Sequence, residues 1–293
     1  MASIPVMASL SNIFFNEEAA LRYLQDERII KREMECPECG GATTFQRAKL
    51  LFKCTKKSCR KSVSAKNGTF FGGQRLPFGK ILHMAYLWLC RTPVTSIKDQ
   101  CGHSSATVCS FMGYFRQLVA DALDTEDCVI GGEGIVVEID ETKMGKRKYH
   151  RGHPVDGVWV VGGVEKTEER RVFAVPVEKR DSETLLDVIK KHVKPGSIIH
   201  TDLWRGYEGI EEKLGFKHCT VNHSVSFKDP ETGIHTNTIE GTWNGFKIMI
   251  PARSRTKKDM EERLWEFAWR RANKKKLWAG FLDALREVVY INK

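Results

Sequence analysis

At 293 residues with 41% hydrophobic content, the chain has material for one large domain and one or two small ones, which excludes a disordered tail. Its 47 basic against 37 acidic side chains leave a net charge of +10, which favours a polyanionic partner over an acidic small molecule. No run of about 18 apolar residues and no secretory start occur, so a soluble intracellular protein with no membrane partner is expected.

Residues 1–34 form the first segment. Within it, 16–34 read as a helix, with Asn16 as N-cap, Glu17 and Glu18 in the first turn, and Ala20, Leu21, Leu24 and Ile29 on one face. A zinc ribbon is expected over 35–75: Cys36 and Cys39 form one knuckle, Cys54 and Cys59 another, and 14 residues separate them. That spacing wraps a tetrahedral Zn²⁺. An odd total of nine cysteines without a signal sequence argues against disulfides. The other five, Cys90, Cys101, Cys109, Cys128 and Cys219, read as small buried hydrophobes. Basic residues of the ribbon, among them Arg47, Lys49 and Lys53, alternate with Phe45 and Phe52 and suit a DNA backbone.

Over 76–130 the pattern turns helical. Ile81, Leu82, Ala85, Tyr86 and Leu89 make one amphipathic helix. Val94–Gln100, a turn at Cys101-Gly102-His103, and a helix through Val108, Phe111, Met112 and Phe115 read either as a helix-turn-helix or as a helical spacer. Gly131-Gly132-Glu133-Gly134 marks the start of a larger domain over 131–255. Strand-like runs at 135–139, 158–164 and 172–177 are followed by a helix near 182–192 and a strand at 197–201. A helix around 207–214, a strand at 218–221 and a final helix complete the order βββαβαβα. This is the order of a ribonuclease H-like α/β core, in which the first and fourth strands lie side by side. Residues 256–293 read as a C-terminal helical segment.

Three acidic residues stand out on that frame. Asp140 closes the first strand run, Asp202 closes the fourth, and Glu240 lies at the start of the last helix. Carboxylates at strand ends line the crevice of an α/β sheet and would hold hard cations, Mg²⁺ or Mn²⁺, for phosphodiester chemistry on nucleic acid. By pattern alone the same residues read as ordinary strand ends and a helix-dipole glutamate. Glu138, one pleat deeper, and Glu141, on the opposite face, are set aside by position. On the last helix Asn237, Glu240, Asn244 and Lys247 form a polar stripe and Ile239, Trp243, Phe246 and Ile250 an apolar one. Lys247 would then sit beside DNA phosphates. Lys143, Lys146, Arg147, Lys148 and Arg151 form a positive hairpin after Asp140 suited to the DNA backbone, and further basic runs lie at 253–258 and 270–276. His200, His223 and His235 read as structural or phosphate-contacting rather than zinc ligands, because none is paired at helical i, i+4 spacing.

The stretches Val137–Thr142, Trp159–Glu165, Val221–Ser224 and His235–Glu240, with Trp243 and Lys247, resemble transposases of the Merlin superfamily and their bacterial insertion-sequence relatives. What the resemblance implies is a DDE-type transposase with a ribonuclease H-like core, a structural zinc ribbon, and Asp140, Asp202 and Glu240 as its Mg²⁺-binding catalytic residues. Asn237 is the second choice for the third ligand, since some bacterial relatives use Asn there. The partners implied are terminal inverted repeats and target double-stranded DNA, bound by a homodimer or higher homo-oligomer, in the nucleus if the host is eukaryotic and otherwise in the cytoplasm. Two other functions remain open: a non-catalytic DNA-binding protein derived from such an element, and a structure-specific nuclease of the same fold.

Overall fold

The helix expected over 16–34 is the shorter α2 (Glu17–Asp26), and a further helix, α1 (Met7–Phe15), stands before it. Asn16 divides them, ending α1 with an extended backbone and capping α2 by accepting the Ala19 N–H at 3.1 Å. α2 ends well before residue 34 because Arg28 adopts a φ of 60° and the amides of Ile29 and Ile30 turn back onto the Leu24 carbonyl. The computed structural model describes residues 3–123, 128–145, 157–222, 234–251 and 254–290. Lys146, Arg147, Lys148, Arg151, His223 and Arg253 lie outside the described residues.

The chain divides into two compact units, Met1–Ala122 with Asn273–Lys293, and Leu123–Ala272. In the first, β1 (Thr43–Gln46), β2 (Leu51–Cys54) and β3 (Ser62–Ser64) form an antiparallel sheet that carries the cysteines. α3 (Phe78–Leu89) is apolar on nearly every side and buried accordingly. Its first two amides, Phe78 and Gly79, donate to the Glu17 carboxylate at 2.8 and 3.0 Å, so a residue of α2 caps α3. α4 (Val94–Cys101) and α5 (Ser105–Asp121) form the expected helix pair, with Ser104 Oγ accepting the Thr107 N–H at 3.1 Å. α10 (Leu277–Glu287) completes this unit, and its Trp278 Nε1 donates to Tyr23 Oη at 2.9 Å.

The second unit is built on five strands: β5 (Val136–Met144), β6 (Val158–Glu165), β7 (Val172–Val177), β9 (Ile198–Asp202) and β10 (Lys217–Val221). A short parallel pair, β4 (Ile130–Gly131) and β8 (Val193–Lys194), lies apart. The main sheet has the order β10–β9–β5–β6–β7, with β5, β6 and β7 antiparallel and β9 and β10 parallel to β5. The first and fourth of these strands are therefore neighbours. Pro176 fits because β7 is an edge strand, where a missing N–H costs no central ladder bond.

Alternation along the strands gives the sheet two apolar faces. Val137, Ile139 and Val161 pack with Leu185 and Ile189 of α6 (Ser182–His192), with Tyr207, and with Ile210 of α7 (Ile210–Leu214). Met144, Val160 and Val164 pack on the other side with Ile239, Trp243 and Phe246 of α8 (Asn237–Met249) and with Leu264 and Phe267 of α9 (Lys257–Ala272). The expected helix over 207–214 begins only at Ile210, because Gly209 takes a φ of 94°. The expected segment 256–293 is shared, α9 belonging to the second unit and α10 to the first.

Candidate active site and zinc site

The four cysteines of the ribbon come together: Cys36 and Cys59 Sγ lie 3.7 Å apart, Cys39 and Cys54 Sγ 3.5 Å apart, and all four ligand atoms fall within 4.8 Å of one another. Two tight turns create this arrangement, one closed by the Gly40 N–H on the Cys36 carbonyl and one by the Arg60 N–H on the Lys56 carbonyl. Four thiols converging at tetrahedral spacing fit Zn²⁺ in donor type and number, and the cluster is consistent with a zinc ribbon.

Asp140 and Asp202 lie on adjacent parallel strands, β5 and β9. Parallel pairing runs Val136↔Ile198, Val137↔Ile199 and Glu138↔His200, and the ladder ends there. The same offset, 198 minus 136 or 62 residues, sets Asp202 opposite Asp140 just beyond the last paired residues. Both side chains therefore have the parity of Glu138 and face the α8 side. Asp202 is the last residue of β9, as expected, but Asp140 is not a strand end. β5 runs on to Met144 because β6 pairs with it throughout, Asp140 lying opposite Gly162 and Lys143 opposite Trp159. Lys143 is consequently a strand residue rather than part of a loop.

Gly162 explains how α8 reaches the site. A Cβ there would stand 2.6 Å from the Trp243 ring and 2.8 Å from the Phe173 carbonyl oxygen, so only glycine lets the indole lie against the strand. From that position Trp243 Nε1 donates to Asp140 Oδ2 at 3.1 Å. Burial, with the Glu141 and Asp202 carboxylates beside it, pushes the Asp140 carboxyl up to about 7 despite the Trp243 hydrogen bond. Burial also raises Glu141, although Tyr207 Oη donates to one of its oxygens and Arg180 Nη1 pairs with the other at 3.0 Å. Buried, hard oxygen donors crowded so that one resists ionisation suit a divalent cation, whose charge would remove that penalty.

Glu240 lies on the first turn of α8 and is exposed, as is Asn237. Lys247 is half-buried two turns on, and the stripe Ile239, Trp243, Phe246, Ile250 is buried as its spacing requires. Among the described residues only the four cysteines gather three or more His, Cys, Asp or Glu ligand atoms within 4.8 Å, so Asp140, Asp202 and Glu240 share one side of the sheet without closing to that distance. His200 is buried beside Glu138, and burial, with Lys166 and His235 nearby, holds its imidazole down at about 4. Its buried Nδ1 has no hydrogen-bond partner among the described residues.

Sequence reading missed what Glu138 does. Fully buried, its Oε2 accepts the Thr238 and Ile239 N–H groups at 2.8 and 3.0 Å, and Oε1 accepts the Thr238 hydroxyl at 2.9 Å. His235 Nδ1 lies 3.3 Å from Oε1, and His235 Nε2 lies 3.0 Å from Lys166 Nζ. Glu138 thus caps α8 in place of Thr236, which makes no side-chain cap bond. Strand parity shared with Asp140 was the signal available; the partner helix lies 100 residues away. Arg180 and Tyr207 carried no local signal.

No helix of the described residues is long and apolar enough to cross a membrane. A relative from Haemophilus influenzae (strain ATCC 51907 / DSM 11121 / KW20 / Rd), described as an uncharacterized transposase-like protein, is 38% identical over 77 residues. The matched stretch is 26% of this chain and 60% of the relative. Residues 126–272, which nearly coincide with the second unit and hold every candidate catalytic carboxylate, match the ISXO2-like transposase domain. The chain belongs to the family of ISXO2-like transposase domains.

Proposed function

We propose that the protein is a DNA transposase that binds the terminal inverted repeats of its element and carries out divalent-metal-dependent strand cleavage and strand transfer. The observation that supports this reading is the parallel pairing of β5 with β9 through Glu138↔His200, which leaves Asp140 and Asp202 two residues further along adjacent strands, with Asp202 among the carboxylates that raise Asp140. The second unit is, on this reading, a ribonuclease H-like core, supported by its strand order and by helices on both faces. The His235–Glu240 stretch further suggests kinship with the Merlin superfamily inside the wider transposase group.

Asp140, Asp202 and Glu240 are the residues that would hold Mg²⁺ or Mn²⁺, with Asn237 the other candidate for the third position. Bound ions of this kind supply activation of the attacking oxygen and charge relief at the leaving oxygen of an in-line displacement. The chain's own groups do the positioning. Trp243 Nε1 donates to Oδ2 of Asp140 and orients its carboxyl. Glu138 fixes the start of the helix that presents Glu240. Lys247 offers positive charge to phosphates near the scissile bond and Lys143, on the other face of β5, to phosphates further along the strand, while the zinc ribbon and the α4–α5 pair bind the element's ends. Water or a DNA 3′-hydroxyl is the nucleophile, so no covalent protein intermediate forms. Two copies or more hold the paired ends, and a monomeric complex holding both would refute that part.

Among the described residues Glu240 does not close with Asp140 and Asp202 to metal-ligand distance, which favours the second reading, a DNA-binding descendant that no longer cuts. An excision assay separates the two. With the DNA flanking the reading frame as donor, wild type should excise, and Asp202→Ala and Glu240→Ala should not. Binding by all three with excision by none would favour the DNA-binding descendant.

A further inference from the structure

On the opposite side of β5 from Asp140, four side chains alternate cation and ring. Lys143 Nζ lies 5.5 Å from the Trp159 ring centroid, the Arg180 guanidinium carbon 4.6 Å from that same ring, and again 4.2 Å from the Trp204 ring. Trp159 stands on β6 between two strands, with Lys143, its register partner on β5, at one side and Arg180 from just past the end of β7 at the other. Arg180 is held as a plate by its two rings and by Glu141, which Tyr207 in turn fixes.

The stack is tied to the candidate active site, because the Trp204 N–H donates to Asp202 Oδ1 at 3.0 Å. It is also partly open. Trp88, Trp243, Trp269 and Trp278 are buried, whereas Trp159 and Trp204, like Trp265 on α9, are partly exposed, the Arg180 side chain is 36% exposed, and Leu203 beside Trp204 is 56% exposed. An ion pair with Glu141 alone would satisfy Arg180, and although Trp204 also packs against the core on the α6 side, both indoles stay partly exposed around the guanidinium. Nucleobases stack on such rings and on guanidinium planes whatever their sequence, and the neighbouring cations suit the phosphates that accompany them.

We infer that the Lys143–Trp159–Arg180–Trp204 stack is a subsite for an unpaired nucleobase next to the strand being processed. Lys143 is the layer that yields: it is exposed, flexible and the most distant from its ring, so a base takes its place on Trp159 while its ammonium turns to the adjoining phosphate. The inference rests on the DNA-processing function proposed above.

The test uses the full zinc-loaded chain without magnesium or manganese, so that no strand is cut. Two probes are titrated, a blunt DNA duplex and the same duplex with a short single-stranded overhang carrying 2-aminopurine. Wild type should bind the overhang probe more tightly and quench its fluorescence. Trp159→Leu should lose affinity for the overhang by roughly tenfold, well beyond any loss for the blunt duplex. Arg180→Lys keeps the charge without the plate and serves should the indole variant fail to fold; it should show the same selective loss with weaker quenching. Equal wild-type affinity for the two probes, or equal losses on both in the variants, would overturn the subsite while leaving the proposed function standing. No binding of either probe by the wild type would remove both.

Discussion

Replacing Asp140 by Asn should stabilise the magnesium-free protein at alkaline pH. The carboxyl is held up at about 7, against 3.8 for a free aspartate, by burial and by Glu141 and Asp202. Between those values the folded chain keeps a proton that the unfolded chain has lost, so folding stability falls as pH rises from about 4 and levels off above about 7. The full penalty is on the order of 4 kcal/mol at about 1.36 kcal/mol per tenfold change in proton affinity, and relaxation around the ionised group will reduce it. Asn carries no such penalty and its carbonyl still accepts from Trp243 Nε1. Urea unfolding followed by indole fluorescence measures the difference, with hydrogen exchange at the β5 and β6 amides assigning the transition to the second unit. The stability gap between variant and wild type should be near zero at pH 4 and favour the variant by about 1–4 kcal/mol at pH 8. Adding magnesium should then stabilise wild type and leave the variant unmoved. A variant less stable than wild type at pH 8, or equal stabilisation of both by magnesium, would refute the reasoning.

Glu138→Leu strips α8 of its cap and leaves two buried amides without acceptors, which should cost about 2–4 kcal/mol in urea unfolding, whereas Glu138→Gln keeps an acceptor and should lose less than half of that. Gly162→Ala drives a methyl against the Trp243 ring and the Phe173 carbonyl and should cost about 1–3 kcal/mol by the same method, with a loss of protection in β5 and β6 amides. Elemental analysis should find one zinc per chain, and Cys39→Ser should lose it together with the amide protection of 36–64, leaving the second unit's transition in place.

How much of this was legible follows from where the partners sit. α8 was readable because its apolar stripe repeats at helical spacing and all of Ile239, Trp243, Phe246 and Ile250 are buried. α6 matches its expected bounds because Asp181 caps it, accepting the Thr184 N–H at 3.0 Å. The continuation of β5 to Met144 was not readable, since Glu141-Thr142-Lys143 looks like the start of a polar loop and becomes strand only through its ladder with β6. Strand order in the sequence put Asp140 and Asp202 on neighbouring strands, as β5 and β9 are, yet could not show that Trp243 holds the first and the Trp204 amide the second. The role of Glu138 depends on a helix 100 residues on, and the Arg180 stack on rings from two other elements. Such contacts have no period or motif to betray them.

The most direct measurement is strand joining by purified protein. Oligonucleotides carrying an end of the flanking inverted repeat are incubated with plasmid target and magnesium, and wild type is compared with Asp140→Asn under conditions where both bind the oligonucleotide. Wild type should give covalently joined products only with the divalent ion present, and the variant none. Joined products from Asp140→Asn at the wild-type rate would contradict the proposed function.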